Sequence, residues 1–417
     1  MLVDKRKIVF ILSVIFFIAF VGVLDSDVYG AKKTPPGKVK IKSASQTKIP
    51  IYKYGESGEV VRYIIKQSVQ LKWKHVKNAD GYVVYRKYKK GKYKAIKNIK
   101  VKKAKAAGSI LRYTTPQVKK GKYYFKIAAY KLYAGKKYYG KKSSAKGTYV
   151  KPKKAIKRWN IGCGSKSTIY GWAKAKKNVK ATLYNNGELI ISGKGNAQYA
   201  KGYVDDEDYS GDGYYDGMPW YYRYYNVSID KVTIKKGVAP KSIYGWFYAL
   251  RRLKKAPQIP SGVKDMDGTF CECESLKQAP KIPAGVKSMD RTFEGCTSLK
   301  QAPKIPEGVW SMSRTFEGCE SLEKGPSSIP SSVAYMRKTF RGCKSMTGTI
   351  KIKTTLANVT HKDDYDDEYY SCGDCFEDAA TYDGCQIRLD YVDEALVDKI
   401  LEDVSSESHV VKGNYIG

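Results

Sequence analysis

Residues 256–278 read APQIPSGVKDMDGTFCECESLKQ, 279–301 read APKIPAGVKSMDRTFEGCTSLKQ, 302–324 read APKIPEGVWSMSRTFEGCESLEK, and 325–348 read GPSSIPSSVAYMRKTFRGCKSMTG. The period is 23, then 23, then 24 residues after one extra serine. Each copy carries Ile-Pro-x-x-Val, then Met, then Thr-Phe-x-x-Cys, then Ser-Leu or Ser-Met. Phe270, Phe293, Phe316 and Phe340 recur at one register, and Ile259, Ile282, Ile305 and Ile329 at another. A fixed period in the twenties predicts a solenoid, because one such unit cannot bury its apolar face alone. Stacking equivalent positions then makes one continuous core strip. A scaffold of this kind presents a surface and does no chemistry of its own.

The pattern extends outward from the four copies. Upstream, Val232–Val238 matches the Ile-Pro-x-x-Val step, and Ile243, Phe247, Leu250 and Leu253 match the Met, Phe, Cys and Leu positions. Before these, Ala181–Tyr184, Asn185-Asn186-Gly187 and Glu188–Gly193 spell strand, turn, strand. Asn-Gly suits the positive φ angles of a tight hairpin. Residues 181–255 are therefore expected to hold an N-terminal cap and a degenerate first repeat, and residues 256–348 the four full repeats. The Asp- and Gly-rich stretch 205–216 reads as a solvated loop, since its carboxylate spacing does not fit the twelve-residue calcium loop. Residues 349–417 turn acidic and are expected to form a final degenerate repeat and a C-terminal cap. Thr349–Ile352 offers one more rung, and Val392–Leu401 has the apolar spacing of an amphipathic helix.

The order Ile-Pro-x-x-Val, Phe-x-x-Cys-x-x-Leu resembles the BspA-like leucine-rich repeats of bacterial and protozoan surface proteins, from about residue 183 to the end. The resemblance implies a secreted or surface-exposed protein, often adhesive, without an active site. This chain departs from it by placing Met266, Met289, Met312 and Met336 where isoleucine is more usual, and by a second proline before Ile-Pro. Proline cannot donate to a strand ladder, so the stacked sheet is expected to be short or irregular there. Cys273, Cys296, Cys319 and Cys343 hold a slot that Leu250 fills in the first unit, which suits free thiols acting as small hydrophobes. Nine cysteines in an exported chain also admit disulfides. Cys372-Gly373-Asp374-Cys375 reads either as a local disulfide or as an imperfect final repeat with Phe376 on the ladder. Among the variable positions, Trp310 and Tyr335 fall on adjacent rungs roughly 5 Å apart. There they either stack on a sugar or a partner's apolar patch, or simply cover the solenoid.

The charge lies elsewhere. Residues 31–160 hold 39 Lys plus Arg against three acidic residues, Glu56, Glu59 and Asp80, so this stretch accounts for +36 of the chain's +37. Residues 161–417 are nearly balanced, 35 against 34. Within 34–152, alternating apolar runs at Val39–Ile41, Val69–Trp73, Gly81–Tyr85, Tyr93–Ile99, Ile110–Tyr113, Tyr123–Tyr130 and Tyr138–Val150 predict a β-sandwich. Leu71-Lys72-Trp73, Gly81–Tyr85 and Gly121–Ala129 resemble a fibronectin type III domain of secreted Gram-positive proteins. That resemblance implies a core tryptophan at Trp73 and a corner tyrosine at Tyr123, and it departs at Gln46–Gln67, which is longer than usual. His75 reads as an outward strand residue, and the alternating Tyr and Lys of Tyr85–Lys94 as Tyr inward, Lys outward. Residues 153–180 read as a linker leading into the repeats.

A net of +36 on some 130 residues exceeds what solubility requires, and like charges oppose a compact state. Lys87, Lys89, Lys90 and Lys92 are the densest cluster and the expected contact with anionic cell-wall or matrix polymers. No nucleic-acid fold or motif accompanies the charge, so specific nucleic-acid binding is not expected. The solenoid is expected to take an unidentified protein or glycan.

At the N-terminus, Lys5-Arg6-Lys7 precedes an apolar run from Ile8 to Leu24, with Val28 and Gly30 before a possible cut at Ala31. Residues 1–30 thus read as a secretory signal, or, if uncleaved, as the one membrane attachment. Either way the mature chain is expected outside the cell, secreted or wall-associated. The fold class expected is mainly β and multidomain, a fibronectin type III-like sandwich followed by a BspA-type solenoid. No Ser/His/Asp set, P-loop or His-rich metal motif is recognised, so no catalytic residue, metal or cofactor is expected. The alternative is an accessory, substrate-binding component of an extracellular carbohydrate-active enzyme system.

Overall fold

Alternation of apolar and polar side chains dominates the chain, and in the computed structural model it yields a mainly β protein. The residues described are 34–52, 60–101, 108–162, 176–197, 218–220, 225–362 and 368–417. The expected signal segment 1–30 and the acidic stretch 205–216 lie outside them. The chain divides into two compact units, one containing Gln67–Pro152 with residues up to Thr47, the other containing Lys48–Lys66 with Lys153–Gly417.

In the first unit, β3 (Gly81–Tyr88), β4 (Lys94–Lys100), β6 (Gly121–Tyr133), β7 (Lys136–Tyr139) and β8 (Lys146–Val150) form one sheet, ordered β4-β3-β6-β7 with β8 also on β6. A second sheet has the order β1-β2-β5, from Ile41–Tyr52, Val60–Lys74 and Ile110–Thr114. Along β6 the side chains of Tyr123, Phe125, Ile127 and Ala129 are buried together with Tyr82 and Val84 of β3 and Leu71 and Trp73 of β2. Trp73 meets Tyr82 edge-on at 5.5 Å. The Tyr123 hydroxyl donates to the Lys119 carbonyl at 3.1 Å. The first strand runs well past the short Val39–Ile41 segment, because the β-branched and alternating residues of 41–52 continue it. His75 is not outward. It is buried, and its Nδ1 lies 2.8 Å from the Tyr82 hydroxyl, since β2 ends there and turns the ring over the core edge.

The second unit resumes where a linker was expected. Ala155–Gly162 forms β9, antiparallel to β10 (Lys176–Tyr184), with Trp159 opposite Ala181. Trp159 packs against Trp220 and Tyr225, and Ile161 is buried, so two apolar residues at strand spacing outweigh the basic flank. Next, β11 (Glu188–Gly193) pairs with β10 through the Asn-Gly turn, and β12 (Lys231–Ile234) lies parallel to β11.

The copies then stack. Phe247, Phe270, Phe293, Phe316, Phe340 and Phe376 follow one another at centroid spacings of 5.3, 5.6, 5.6, 5.5 and 5.0 Å, nearly parallel in the middle of the series. Each ring's backbone N–H donates to the next copy: Phe270 to Thr292, Phe293 to Thr315, Phe316 to Thr339, Phe340 to Cys375. The strand ladder shrinks to single parallel bridges, Ser242–Asp265–Ser288–Ser311–Tyr335. Ile-Pro leads straight into a turn, closed by Val263 N–H on the Pro260 carbonyl and repeated at Val286, Val309 and Val333. Phe376 shows that Cys372-Gly-Asp-Cys375 belongs to a final copy: Cys372 takes the methionine place, Cys375 the threonine place and Ala379 the cysteine place. The eight described cysteines are free thiols. Cys273, Cys296, Cys319 and Cys343 each donate to a phenylalanine carbonyl one rung back, as Cys296 does to Phe270 at 3.2 Å.

Residues 347–370 are inserted before this final copy. They hold β14 (Gly348–Ile352), the short α1 (Leu356–Val359) and a hairpin of β15 (Thr360–Lys362) and β16 (Glu368–Tyr370). A parallel sheet of β13 (Ser328–Ile329), β14, β17 (Ile387–Tyr391) and β18 (Val410–Tyr415) follows the array, covered by α2 (Glu394–Glu402). Asp393 caps α2 by accepting from Leu396 N–H, and Leu396, Val397 and Ile400 are buried.

One backbone position tests the stacking. Gly295, Gly318 and Gly342 hold φ of +68°, +70° and +70°, and the equivalent Ala249 is forced to +52°. A Cβ at Gly318 would meet nothing closer than 3.8 Å, so only the left-handed φ penalises it. Gly318→Ala should therefore lower unfolding free energy by roughly 1 kcal/mol, and Ala249→Gly should raise it by up to about 1 kcal/mol. Urea denaturation of each variant reads both signs.

Candidate functional site

Because the rungs are in register, equivalent surface positions form columns. Lys264 N–H donates to the Lys241 carbonyl, Lys287 to Lys264, Trp310 to Lys287 and Ala334 to Trp310, at 2.7 to 2.9 Å. The column thus runs through three exposed lysines to Trp310, whose surface is 46% exposed. The Trp310 ring stands edge-on to Tyr335 at 5.4 Å. Tyr335 in turn stacks face to face on His361 of β15 at 4.3 Å and 7°. Tyr369 of β16, 45% exposed, lies 5.5 Å from His361. His361 is held through Nε2, 3.1 Å from the Ala334 carbonyl and 3.2 Å from the Ser371 hydroxyl. Burial, then the neighbouring Tyr369, raises the Tyr335 phenol above its ordinary value. The expected pair is thereby part of a strip of four rings. His361 and Tyr369 were not found from sequence, because the insertion breaks the repeat register. The only signal was a final copy that comes late.

The first unit has a second surface. Lys87, on the outer face of β3, has its Nζ 4.8 Å from the centroid of Tyr124 and 5.1 Å from that of Tyr93. Lys126 and Lys122 of β6 lie 5.0 Å from Tyr93 and 5.4 Å from Tyr124. Lys142 lies 4.4 Å over Tyr85, and Tyr85 is opposite Lys126. Tyr149 and Tyr139, 56% and 48% exposed, flank the row at either end. The expectation of Tyr inward and Lys outward fails on this face, where both types stand together. Tyrosine is amphipathic, so its ring can screen neighbouring ammonium groups while its hydroxyl stays wet. Burial raises the Tyr85 and Tyr93 phenols, with Tyr139 and Tyr124 adding to the shifts. Of the other lysines expected at this site, Lys89, Lys90 and Lys92 lie in the β3–β4 turn. Lys89 has φ +48° and its Nζ over the Tyr88 ring at 5.3 Å. The fold therefore separates Lys87, on the sheet face, from the three in the turn.

No protein-family model matches the sequence, and no curated protein matches it. Two solved structures are similar in part, and both are leucine-rich repeat proteins. One, from Bacteroides ovatus, is 28% identical with a TM-score of 0.27, covering 31% of this chain and 34% of its own. The other, from Eubacterium ventriosum, is 14% identical with a TM-score of 0.21, covering 52% of this chain and 77% of its own. This chain thus spans about a third of the length of the Bacteroides protein.

Beside the lysine column, carboxylates are drawn into the stack. The Ser288 hydroxyl and Asp290 N–H both donate to Asp267 Oδ1, and the Ser311 hydroxyl and Ser313 N–H both donate to Asp290 Oδ1. Burial, then the neighbouring Asp265 charge, pushes Asp267 up to about 7, and burial raises Asp290 as well. A carboxyl whose folded value lies above its unfolded one binds its proton more tightly when folded. Stability is then full below pH 4 and falls as pH rises toward 7. Asp267→Asn keeps the acceptor and removes the charge. It should flatten that decline and raise stability at pH 8 by on the order of 2–4 kcal/mol, read from denaturation midpoints between pH 4 and 8.

Proposed function

We propose that the protein is a secreted or cell-surface binding protein with two modules. In this reading the first unit is a fibronectin type III-like sandwich that holds anionic wall or matrix polymers. The second is a BspA-type leucine-rich-repeat solenoid that recognises a protein or glycan through its ring strip. The observation that carries the reading is the partition of charge, +36 on residues 31–160 against near balance on 161–417. A surface so unbalanced gains most from a polymer of opposite sign, and the gain comes largely from released counterions. The balanced array is left to discriminate by shape and by rings, which suits Trp310 and Tyr335 to contact with a sugar or an apolar patch.

The whole chain should bind purified anionic wall polymer at low salt, with affinity falling linearly on a log–log scale as salt rises. Replacing Lys87, Lys89, Lys90 and Lys92 together by alanine should lower affinity on the order of tenfold and reduce the salt slope. Trp310→Ala with Tyr335→Ala should leave polymer binding unchanged. Retention by an immobilised polymer column, eluted with a salt gradient, separates these outcomes, and absence of retention at low salt would refute the polymer half of the proposal.

A further inference from the structure

The outer face of the β4-β3-β6-β7 sheet, with β8 also on β6, carries rings and ammonium groups in one alternating row: Tyr149, Lys122, Tyr124, Lys87, Tyr93, Lys126, Tyr85, Lys142, Tyr139. Along β6 the row spans from Lys122 to the level of Tyr130, roughly 27 Å at strand rise. Among the described residues of this unit the one acidic side chain is Asp80, and its Oδ2 accepts from Leu132 N–H at 2.6 Å. The row therefore offers fixed positive charge with apolar ring surface between the charges.

We propose that this row binds an acidic polysaccharide, a chain of pyranose rings that each carry a carboxylate. This rests on the reading that the basic unit binds polyanions, and adds which polyanion it prefers. In such a polymer the charge and the apolar C–H face belong to the same sugar, so the two recur together along one line. Carboxylates meet the ammonium groups while the C–H faces lie on Tyr149, Tyr139 and the rings between. A single-stranded nucleic acid keeps phosphates and bases in separate rows. Here ammonium groups and the Tyr85, Tyr93 and Tyr124 rings share one row, 4.4 to 5.4 Å apart. A ringless polyphosphate uses the lysines and leaves the tyrosines idle. Each cation–π contact contributes little by itself at an exposed site.

The test compares the whole protein with two charge-preserving pairs, Tyr93→Leu with Tyr124→Leu and Tyr139→Leu with Tyr149→Leu. Each is titrated with polygalacturonate, inorganic polyphosphate and a single-stranded oligodeoxythymidylate of matched charge at one salt concentration. Polygalacturonate affinity is expected to fall at least about fivefold in each pair, with polyphosphate affinity within about twofold of wild type. Tyr139 and Tyr149 are the most exposed rings of the row, so the second pair keeps the test open if the first lowers the melting temperature. Unchanged polygalacturonate binding, or an equal fall on polyphosphate, overturns the proposal while leaving polyanion binding intact. A loss confined to the oligonucleotide assigns the row to nucleic acid instead. Failure of all three polymers to bind wild type removes the underlying reading as well.

Discussion

The ladder of phenylalanine rings from Phe247 to Phe376 is the contact on which the second unit depends. Its spacing is close to the separation of hydrogen-bonded strands, so rings and backbone rungs advance together. Single bridges replace long strands between copies, which leaves the side-chain ladder to fix the register. Methionine on one side of the ring, threonine beside it and cysteine beyond it are each fully buried, and each fits one slot. The threonine hydroxyl donates to methionine carbonyls, and the thiol to a phenylalanine carbonyl, so even the small polar atoms of the strip are satisfied.

Fixed register has a consequence at the surface. Charges are brought into repeated ion pairs within a copy, as Arg314 with Glu317, and between neighbouring copies, as Arg341 between Glu317 and Glu377 and Arg251 between Glu272 and Glu274. Each is exposed enough to contribute little alone, but the series keeps the array neutral. The described residues of the first unit hold one carboxylate, Asp80, too few for this. Tyrosine rings take over part of the role, sitting beside Lys87, Lys122, Lys126 and Lys142 at distances where the ring quadrupole favours a cation. The repulsion is only partly relieved, and the surface stays strongly cationic.

What could be read from sequence follows from this contrast. Repetition names equivalent positions outright, so the core strip, the degenerate first copy at Ile243–Leu253 and Phe376 at the far end were all legible. Alternation in a strand says that there are two faces, not which one an amphipathic residue prefers. Tyr82 and Tyr123 point inward while Tyr85 and Tyr124 do not, so residue type alone does not assign the face. His75 was misplaced for a related reason: its partner, the Tyr82 hydroxyl, comes from the next strand. The strand at Ala155–Gly162 was hidden because its basic flank resembles a spacer, and only the tryptophan it meets shows a packed face.

The ring strip shows how a repeat array gains a distinct cluster of rings without disturbing its core. Trp310 occupies a place that is lysine in three earlier copies, and Tyr335 one that is Ser or Asp. Trp310 is exposed and Tyr335 half-buried, and neither position belongs to the phenylalanine ladder. A copy-specific residue alone would be a single ring on a flat face. The insertion before the final copy changes that, because β15 and β16 lay His361 on Tyr335 and Tyr369 beside it, while Ser371 and Ala334 hold the imidazole in place. Two changes that are separate in sequence therefore meet at one edge of the array. The insertion occurs where the stack is about to end, so it adds the outer rings without interrupting any rung before it.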